Sequence, residues 1–152
     1  MKRNEFLTKL GIGTALICTG NMLQACGKSG DNNVNPDDDD DDPKPVNFTL
    51  DITTELPTVG SSKTKQDVIV VRTASAAVAS SFVALEAVCP HEQGSIFYSK
   101  DNANLECSLH SSRYKLDGLV INGPVNASGS TRALKLYNVT LSGNIITVTN
   151  KV

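Results

Sequence analysis

Several features are missing from this sequence of 152 residues, and each absence excludes a class of protein. No stretch has strong helical periodicity and no internal repeat is evident, so neither a helical bundle nor a repeat array is expected. Positive charge is not concentrated: residues 46–152 carry nine Lys or Arg against eight Asp or Glu, and this net charge of +1 gives no indication of nucleic-acid binding. Tryptophan is absent and aromatic residues are few, whereas Gly, Ser, Thr, Val and Asn are common, which suits short strands joined by turns.

The first 25 residues have the pattern of a signal peptide that is removed from the mature protein. Its basic residues come first, at Lys2, Arg3 and Lys9. Residues 10–25 are uncharged and largely apolar, but they are fewer than the roughly 20 residues that span a bilayer. The segment ends in Leu23-Gln24-Ala25-Cys26, which resembles a bacterial lipobox and implies cleavage before Cys26 and lipidation of its sulfur. A plain signal peptide with an incidental Cys26 is the alternative, and both the twin-arginine and the general secretory routes of export stay open.

Residues 26–45 are interpreted as the lipidated cysteine followed by an acidic tether. Residues 27–45 contain two lysines against seven aspartates, a net charge of −5, and the aspartate run at residues 37–42 is bracketed by Pro36 and Pro43. Like charges repel and prolines stiffen the chain, so an extended, disordered linker is expected. A calcium site and a surface-export signal are the alternatives. The anchor and tether place the protein in the cell envelope, lipid-anchored to a bacterial membrane on its periplasmic side or at the cell surface.

Residues 46–152 are predicted to form one all-β domain, an antiparallel sandwich or barrel. The expected strands are residues 46–53, 67–73, 82–88, 95–98, 114–115, 119–121, 134–139 and 144–149. The run Val68-Ile69-Val70-Val71 is apolar on both faces, which predicts a central strand. Residues 141–145 resemble a hairpin between the last two strands. Residues 74–79 favour a helix by composition, but they are short and rich in serine, so a turn or strand edge is expected there.

Two Cys-His pairs carry the chemistry of this chain. Cys89 and His91 form the first pair and, after fifteen intervening residues, Cys107 and His110 form the second. These are the only histidines in the chain and the only cysteines beyond the N-terminal region, so with Cys26 lipidated no cysteine is left for a disulfide. Two thiolates and two imidazoles on short loops form a four-ligand metal site with mixed sulfur and nitrogen donors.

The spacing of these pairs resembles the Rieske iron–sulfur family, which has C-x-H, a gap of about fifteen to seventeen residues, then C-x-x-H. The resemblance implies a [2Fe-2S] cluster with Cys89 and Cys107 on an inner iron and His91 and His110 on an outer iron near the surface. It also implies a base of antiparallel sheets with a small cluster-binding subdomain inserted at roughly residues 88–125. Because two thiolates leave the oxidised cluster neutral, adding an electron costs less than with four thiolates, and a reduction potential of about −150 to +300 mV is expected.

Residues beside the second pair resemble those that tune the potential in the family. Ser112 matches a serine that donates a hydrogen bond to a bridging sulfide, and Tyr114 matches a tyrosine that donates to a cysteine sulfur. The alternative is that both are ordinary loop residues. Gly123-Pro124 resembles the proline loop that covers the cluster and excludes water. One departure is clear: quinol-oxidising members usually have a disulfide between the two cluster loops, and this sequence has Gly94 and Leu109 at those positions.

The resemblance implies an electron-transfer protein that exchanges electrons with a redox protein or a quinol, with no independent substrate site evident. The missing disulfide and the lipid anchor favour a relay serving a periplasmic oxidoreductase, and a quinol-facing subunit of a bc-like complex is the other version. A Rieske oxygenase would need two further histidines and a carboxylate for a second iron, and the chain has no further histidine. A structural zinc site with a binding role and a β-sandwich lipoprotein without metal are the alternatives from other classes.

Overall fold

The computed structural model of the protein describes residues 45–151. The predicted signal peptide, Cys26 and the acidic tether up to residue 44 lie outside the described residues. Within residues 45–151, no helix is long and apolar enough to cross a membrane.

Residues 45–151 form ten short strands and one 3-10 turn at Ala79–Ser81, so the all-β prediction is confirmed. The strands are β1 (Asn47–Asp51), β2 (Ser62–Lys65), β3 (Val68–Arg72), β4 (Phe82–Glu86), β5 (Ile96–Ser99), β6 (Asn104–Cys107), β7 (Arg113–Tyr114), β8 (Val120–Asn122), β9 (Tyr137–Ser142) and β10 (Ile145–Asn150). They pair in three antiparallel sheets of the described chain, with the orders β1-β10-β9, β2-β3-β4 and β5-β6-β7-β8. The first two sheets build the base, and the third is inserted between β4 and β9 as the sequence predicts.

β3 is the middle strand of its sheet and contributes to two hydrophobic cores. Successive side chains of a strand point to opposite faces, so Val68 and Val70 enter one core while Ile69 and Val71 enter the other. All four are buried, and each such side chain stabilises the fold by roughly 1.5–3 kcal/mol relative to an exposed one. The prediction of a central strand at residues 68–71 is confirmed.

The described residues form two hydrophobic cores, one within the base and one where the base meets the inserted sheet. The sandwich core lies between the two base sheets and includes Phe48, Leu50, Val70, Ala84, Ile146 and Val148. The junction core lies between the base and the inserted sheet and includes Ile69, Leu85, Cys89, Ile96, Leu105, Cys107, Tyr114 and Leu134. The sulfur atoms of Cys89 and Cys107 therefore lie in the apolar junction between the base and the inserted sheet.

The last hairpin, β9–β10, has the form that the sequence predicts. Ser142 pairs with Ile145, which leaves Gly143 and Asn144 as the two residues of the turn. Gly143 has φ of +59°, a left-handed conformation that glycine adopts without a steric penalty. β10 also pairs with β1, so the hairpin connects the C-terminal part of the domain to its first strand.

Three sequence-based expectations differ from the structure. β2 is not predicted because Ser62–Lys65 is exposed at all four positions and has no apolar alternation. β6 is not predicted because its four residues, Asn104–Cys107, lie in a polar stretch too short for a periodic pattern. The expected strand at residues 134–139 is wrong in its bounds: the strand runs over Tyr137–Ser142, while Leu136 makes only an isolated bridge to Leu85. Residues 74–78 are irregular, and the 3-10 turn begins at Ala79.

Candidate metal centre

Two loops of the inserted subdomain carry the four predicted ligands, and they fold in the same way. In the first loop the Cys89 N–H donates to the Gly94 carbonyl at 2.7 Å, and the Gln93 N–H donates to the Cys89 carbonyl at 2.9 Å. In the second loop the Cys107 N–H donates to the Ser112 carbonyl at 2.9 Å, and the Ser111 N–H donates to the Cys107 carbonyl at 3.1 Å. The fourth residue after each cysteine, Gln93 or Ser111, has positive φ of 56° or 51°. The two Cys-His pairs are therefore presented by matching turns.

Each turn points backbone N–H groups at its own cysteine sulfur. The N–H groups of His91 and Glu92 donate to Cys89 Sγ, and those of Leu109 and His110 donate to Cys107 Sγ. Such donors stabilise a sulfur that carries negative charge. A matched pair of sulfur-binding turns is the arrangement that two thiolate ligands require.

The two cysteines are buried side by side in the junction core and are free thiols. Cys89 is 1% exposed and Cys107 is 3% exposed, and each thiol affects the pKa of the other. Burial alone would raise the pKa of Cys89, but hydrogen bonds from the Tyr114 hydroxyl and the His91 N–H outweigh it, so the pKa lies below its usual value. Burial raises the pKa of Cys107.

The two imidazoles lie together, nearer the surface than the sulfurs. The ring centroids of His91 and His110 are 5.2 Å apart and the ring planes are nearly perpendicular. His91 Nε2 lies 2.8 Å from the Ser128 carbonyl oxygen. A carbonyl only accepts, so His91 carries its proton on Nε2 and its Nδ1 lone pair is free for a metal. His110 Nδ1 is buried and has no hydrogen-bond partner among the described residues, so it too is available as a ligand atom.

Glu92 is a neighbour of both histidines that the sequence analysis does not single out. Its carboxylate oxygens lie 3.7 Å from His110 Nδ1 and 3.9 Å from His91 Nε2, too far for hydrogen bonds. Its side chain is 58% exposed. The only signal for it in the sequence is its position directly after His91.

Ser112 and Tyr114 are both fully buried beside the cysteines. The Tyr114 hydroxyl lies 3.4 Å from Cys89 Sγ and 2.8 Å from the Thr131 hydroxyl. Burial first, and then the hydrogen bond with Cys89, raise the pKa of Tyr114 to about 12, so the phenol keeps its proton and remains a donor. The Ser112 hydroxyl is buried and has no hydrogen-bond partner in the described protein. A buried hydroxyl without a hydrogen-bond partner lowers the stability of the fold, which indicates that a group outside the chain forms this hydrogen bond.

A segment that we call the covering loop, residues 123–133, returns from the inserted sheet to the base and passes over the histidines. Pro124 is half-buried at its start, and the next residue, Val125, donates its N–H to the His110 carbonyl at 2.7 Å. Farther along, a Cβ atom placed on Gly129 would lie 3.4 Å from His91 Nε2, so the backbone passes close to that ring. The side chain of His91 is consequently only 6% exposed, whereas that of His110 is 26% exposed.

The far end of the covering loop is fixed to the base by an ion pair. Arg132 donates two hydrogen bonds, of 2.7 and 2.9 Å, to the two carboxylate oxygens of Glu86 at the end of β4. The Lys135 N–H also donates to that carboxylate. Burial raises the pKa of Glu86, but these hydrogen bonds lower it by more in total, and the net result is a pKa below the usual value.

Gly94 and Leu109, the positions of the disulfide that this sequence does not have, are neighbours in the structure. A Cβ atom at Gly94 would lie 2.8 Å from both Cys107 Sγ and Leu109 Cγ. That distance is below any ordinary carbon contact, so the Leu109 side chain and the Cys107 sulfur occupy the space that a larger residue would need. The two loops are instead joined by a hydrogen bond of 3.0 Å from the Ser108 N–H to the Ser95 carbonyl.

The donor atoms fit a centre with two metals better than a single zinc ion. In a tetrahedral zinc site with bonds of about 2.0–2.3 Å, all four donor atoms would lie roughly 3.5 Å from one another. Within residues 45–151, one group of three ligating side chains has donor atoms within 4.8 Å of one another, and it consists of His91, Glu92 and His110 without either cysteine. The sulfurs thus form a buried pair and the imidazoles a separate outer pair.

Comparison with known families agrees with this donor set. The sequence profile of the Rieske [2Fe-2S] domain matches residues 45–141, which include both loops and the covering loop. The chain belongs to the Rieske [2Fe-2S] family. Its cofactor is a [2Fe-2S] cluster, and its chemistry is Rieske-type electron transfer.

A solved Rieske protein shows the same fold. The plasma-membrane Rieske protein PetC3 of the cyanobacterium Synechocystis PCC 6803 superposes with a TM-score of 0.50 and 23% identity, over 68% of this chain and 97% of that protein. The ferredoxin of carbazole 1,9a-dioxygenase from Nocardioides aromaticivorans IC177 has a TM-score of 0.48 and 22% identity, over 70% of this chain and 98% of its own. Among curated protein sequences, none matches the chain.

The predicted Rieske ligands and tuning residues converge on one place, whereas the contacts from the covering loop have no sequence signal. Cys89, Cys107 and Tyr114 belong to the junction core, and the two histidines lie beside each other above it. Ser128 and Thr131 reach His91 and Tyr114 across 37 and 17 positions of sequence, from an irregular segment without periodicity. Only the folded chain brings them to the site.

Proposed function

We propose that Cys89 and Cys107 bind the inner iron of the [2Fe-2S] cluster, and that His91 and His110 bind the outer iron through Nδ1. One observation carries this proposal: the structure has a buried sulfur pair and a separate imidazole pair on two matching turns. The orphaned His110 Nδ1 and Ser112 Oγ support it, because both are buried polar atoms that a bound group would satisfy. When bound, the cluster supplies a centre that accepts and gives up one electron at a time.

The residues around this centre determine how readily it is reduced. Backbone N–H groups donate to both cysteine sulfurs, and the Tyr114 hydroxyl is placed to donate to Cys89 Sγ. Ser112 would donate to a sulfide of the cluster, and its buried hydroxyl, which has no partner within residues 45–151, supports this role. Each donor favours the more negative, reduced state and raises the reduction potential. The covering loop, with Pro124 at its start, restricts access of water to the His91 side.

We propose that electrons enter and leave on the His110 side. The His91 ring is covered and its Nε2 is engaged by Ser128, whereas His110 is partly exposed. Two apolar side chains beside His110 are exposed, Leu109 at 56% and Val125 at 49%. Leu109 directly precedes His110 in the chain, and the Val125 N–H donates to the His110 carbonyl. This edge is small and apolar, which suits brief docking of a redox protein.

Within electron transfer we propose a relay between a donor and an acceptor in the bacterial cell envelope. The residues Gly94 and Leu109 support it, because quinol-oxidising members usually have a disulfide at these two positions and this chain has no cysteine at either. A subunit of a quinol-oxidising complex is the second candidate. The separate donor pairs argue against the structural zinc alternative.

The ligand assignment is tested by metal and acid-labile sulfide analysis of four variants, each with one ligand replaced: Cys89→Ser, Cys107→Ser, His91→Ala and His110→Ala. Each should lose the cluster and its visible absorption, because removing one ligand exposes an iron. Ser108→Ala, an exposed residue on the second loop, is the control and should keep iron and sulfide at the wild-type level. Retention of the wild-type spectrum in any of the four would remove that residue from the ligand set, and zinc in place of iron would end the proposal.

We also propose that lipid on Cys26 holds the domain at a membrane through the acidic tether. The support is the lipobox-like sequence and the run of acidic residues. The twenty steps from Cys26 to Val46 correspond to an end-to-end distance of roughly 25 Å for a flexible chain and a maximum of about 65 Å. The Cys26→Ser variant should move from the membrane fraction to the soluble fraction with an unchanged EPR spectrum. If it stays in the membrane fraction, the anchor is elsewhere.

A further inference from the structure

The hydroxyl of Tyr114 makes hydrogen-bond contacts with Cys89 and Thr131 but has only one proton to give. Cys89 Sγ lies at 3.4 Å and Thr131 Oγ1 at 2.8 Å, and the positions of the heavy atoms leave the direction of both hydrogen bonds open. If Tyr114 donates to Thr131, the sulfur receives nothing from the phenol. If Thr131 donates to Tyr114, the phenol proton is free for the sulfur. The direction of the hydrogen bond between Thr131 and Tyr114 therefore decides whether Tyr114 donates to the Cys89 sulfur and raises the reduction potential.

The chemistry of the three groups selects one direction. A cysteine that binds metal is a thiolate, which accepts hydrogen bonds and has no proton to give. The Thr131 hydroxyl can otherwise donate only weakly, to the Arg132 carbonyl at 3.4 Å, whereas its distance of 2.8 Å to Tyr114 is the usual length for two hydroxyls. The arrangement that satisfies all three groups is a chain in which Thr131 donates to Tyr114 and Tyr114 donates to Cys89.

We propose that Thr131 is a positioning residue for the redox centre, which directs the Tyr114 proton to the Cys89 sulfur. This inference rests on the proposed role of Cys89 as a ligand. Hydrogen bonds in such a chain polarise one another, so a phenol that accepts a bond from Thr131 is the stronger donor to sulfur. Thr131 acts through Tyr114, because its hydroxyl contacts the Tyr114 hydroxyl and, more weakly, the Arg132 carbonyl.

The position of Thr131 depends on the covering loop being fixed at both of its sides. Toward the C-terminus, the next residue, Arg132, holds Glu86 of β4 by two hydrogen bonds. Toward the N-terminus, the Ser128 carbonyl accepts a hydrogen bond from His91 Nε2–H. Fixed in this way, Thr131 Oγ1 stays within hydrogen-bond distance of a tyrosine 17 positions earlier in the chain.

The test is the midpoint potential, measured by EPR-monitored titration, of the full-length protein and of variants at residues 131 and 114. Thr131→Val removes the hydroxyl and keeps the shape, and its midpoint should fall by less than that of Tyr114→Phe. Thr131→Ser keeps the hydroxyl and should have the wild-type midpoint. In the Tyr114→Phe background, Thr131→Val should cause no further fall. Thr131→Ala is the second variant without the hydroxyl and should repeat the fall.

The proposal is overturned if both hydroxyl-free variants have the wild-type midpoint, or if they fall as far in the Tyr114→Phe background as alone. A fall larger than that of Tyr114→Phe would also overturn it, because the effect would not pass through the tyrosine. Iron and sulfide contents are measured on every sample, so loss of cluster is not taken for a shift in potential. A wild-type protein without a Rieske EPR signal would instead contradict the proposed function, which is a separate result.

Discussion

At the scale of single residues, the site is defined by polar atoms that the protein leaves without partners. The interior of the junction core is apolar, yet Ser112 Oγ and His110 Nδ1 are buried there or beside it without hydrogen bonds to any of residues 45–151. An unpaired buried hydroxyl costs about 1–3 kcal/mol, so such atoms are retained where a ligand pairs with them. Tyr114 is the opposite case: it is the largest fully buried side chain among the described residues, and its hydroxyl has partners in Cys89 and Thr131.

Ser112→Ala tests this reading of the unpaired hydroxyl. The variant should keep its cluster, because alanine fits the same space, and its midpoint potential should fall because one donor to a bridging sulfide is lost. EPR-monitored titration measures the fall. Ser108→Ala on the same loop is exposed and should leave the midpoint unchanged. An equal midpoint in wild type and Ser112→Ala would show that the hydroxyl does not face the cluster.

At the scale of elements, the covering loop ties the inserted sheet to the base through three kinds of contact. Val125 binds the second loop by its backbone, Ser128 binds His91, and Arg132 binds Glu86. None of these belongs to a regular sheet, so the loop depends on individual hydrogen bonds rather than on a ladder. The Glu86–Arg132 pair has the best geometry because Arg132 contacts both carboxylate oxygens.

Glu86→Gln should lower the free energy of unfolding by about 1–2 kcal/mol at pH 7, since it removes a charge-assisted pair of hydrogen bonds. The pKa of Glu86 is lower in the folded protein than its usual value of 4.5, so its contribution is complete above pH 4.5 and is lost as the pH falls through the lower folded pKa. Thermal unfolding at a series of pH values measures this. The difference between wild type and variant should shrink in acid.

The matched control for this element is Glu106→Gln. Glu106 lies 3.7 Å from Arg113, whose side chain is 44% exposed, and such pairs contribute little. Its loss should change stability by a few tenths of a kcal/mol. Equal effects of the two substitutions, or a Glu86→Gln effect that does not decrease in acid, would contradict the role given to the ion pair.

At the scale of the whole molecule, the sequence predicts the chemistry better than the architecture around it. Cys89, His91, Cys107 and His110 are recognisable because their spacing reflects two short turns, which are local structures. The central strand at residues 68–71 is recognisable because both of its faces are apolar.

Other parts of the molecule depend on long-range contacts that leave no local pattern. β2 is a strand only because it pairs with β3, and its own residues are all exposed. Thr131 and Ser128 matter only through partners distant in sequence. Such residues belong to the site by geometry, and no composition or periodicity marks them.

The most direct test of the account is an EPR-monitored redox titration of the purified protein, combined with iron and sulfide analysis. Dithionite reduction should give a rhombic Rieske signal. The midpoint should lie in the upper part of the range of about −150 to +300 mV, because Ser112, Tyr114 and the backbone N–H groups all favour the reduced state. A midpoint near −150 mV would contradict the roles of Ser112 and Tyr114. Absence of the signal, with zinc in place of iron, would contradict the central claim that two cysteines and two histidines hold a [2Fe-2S] cluster.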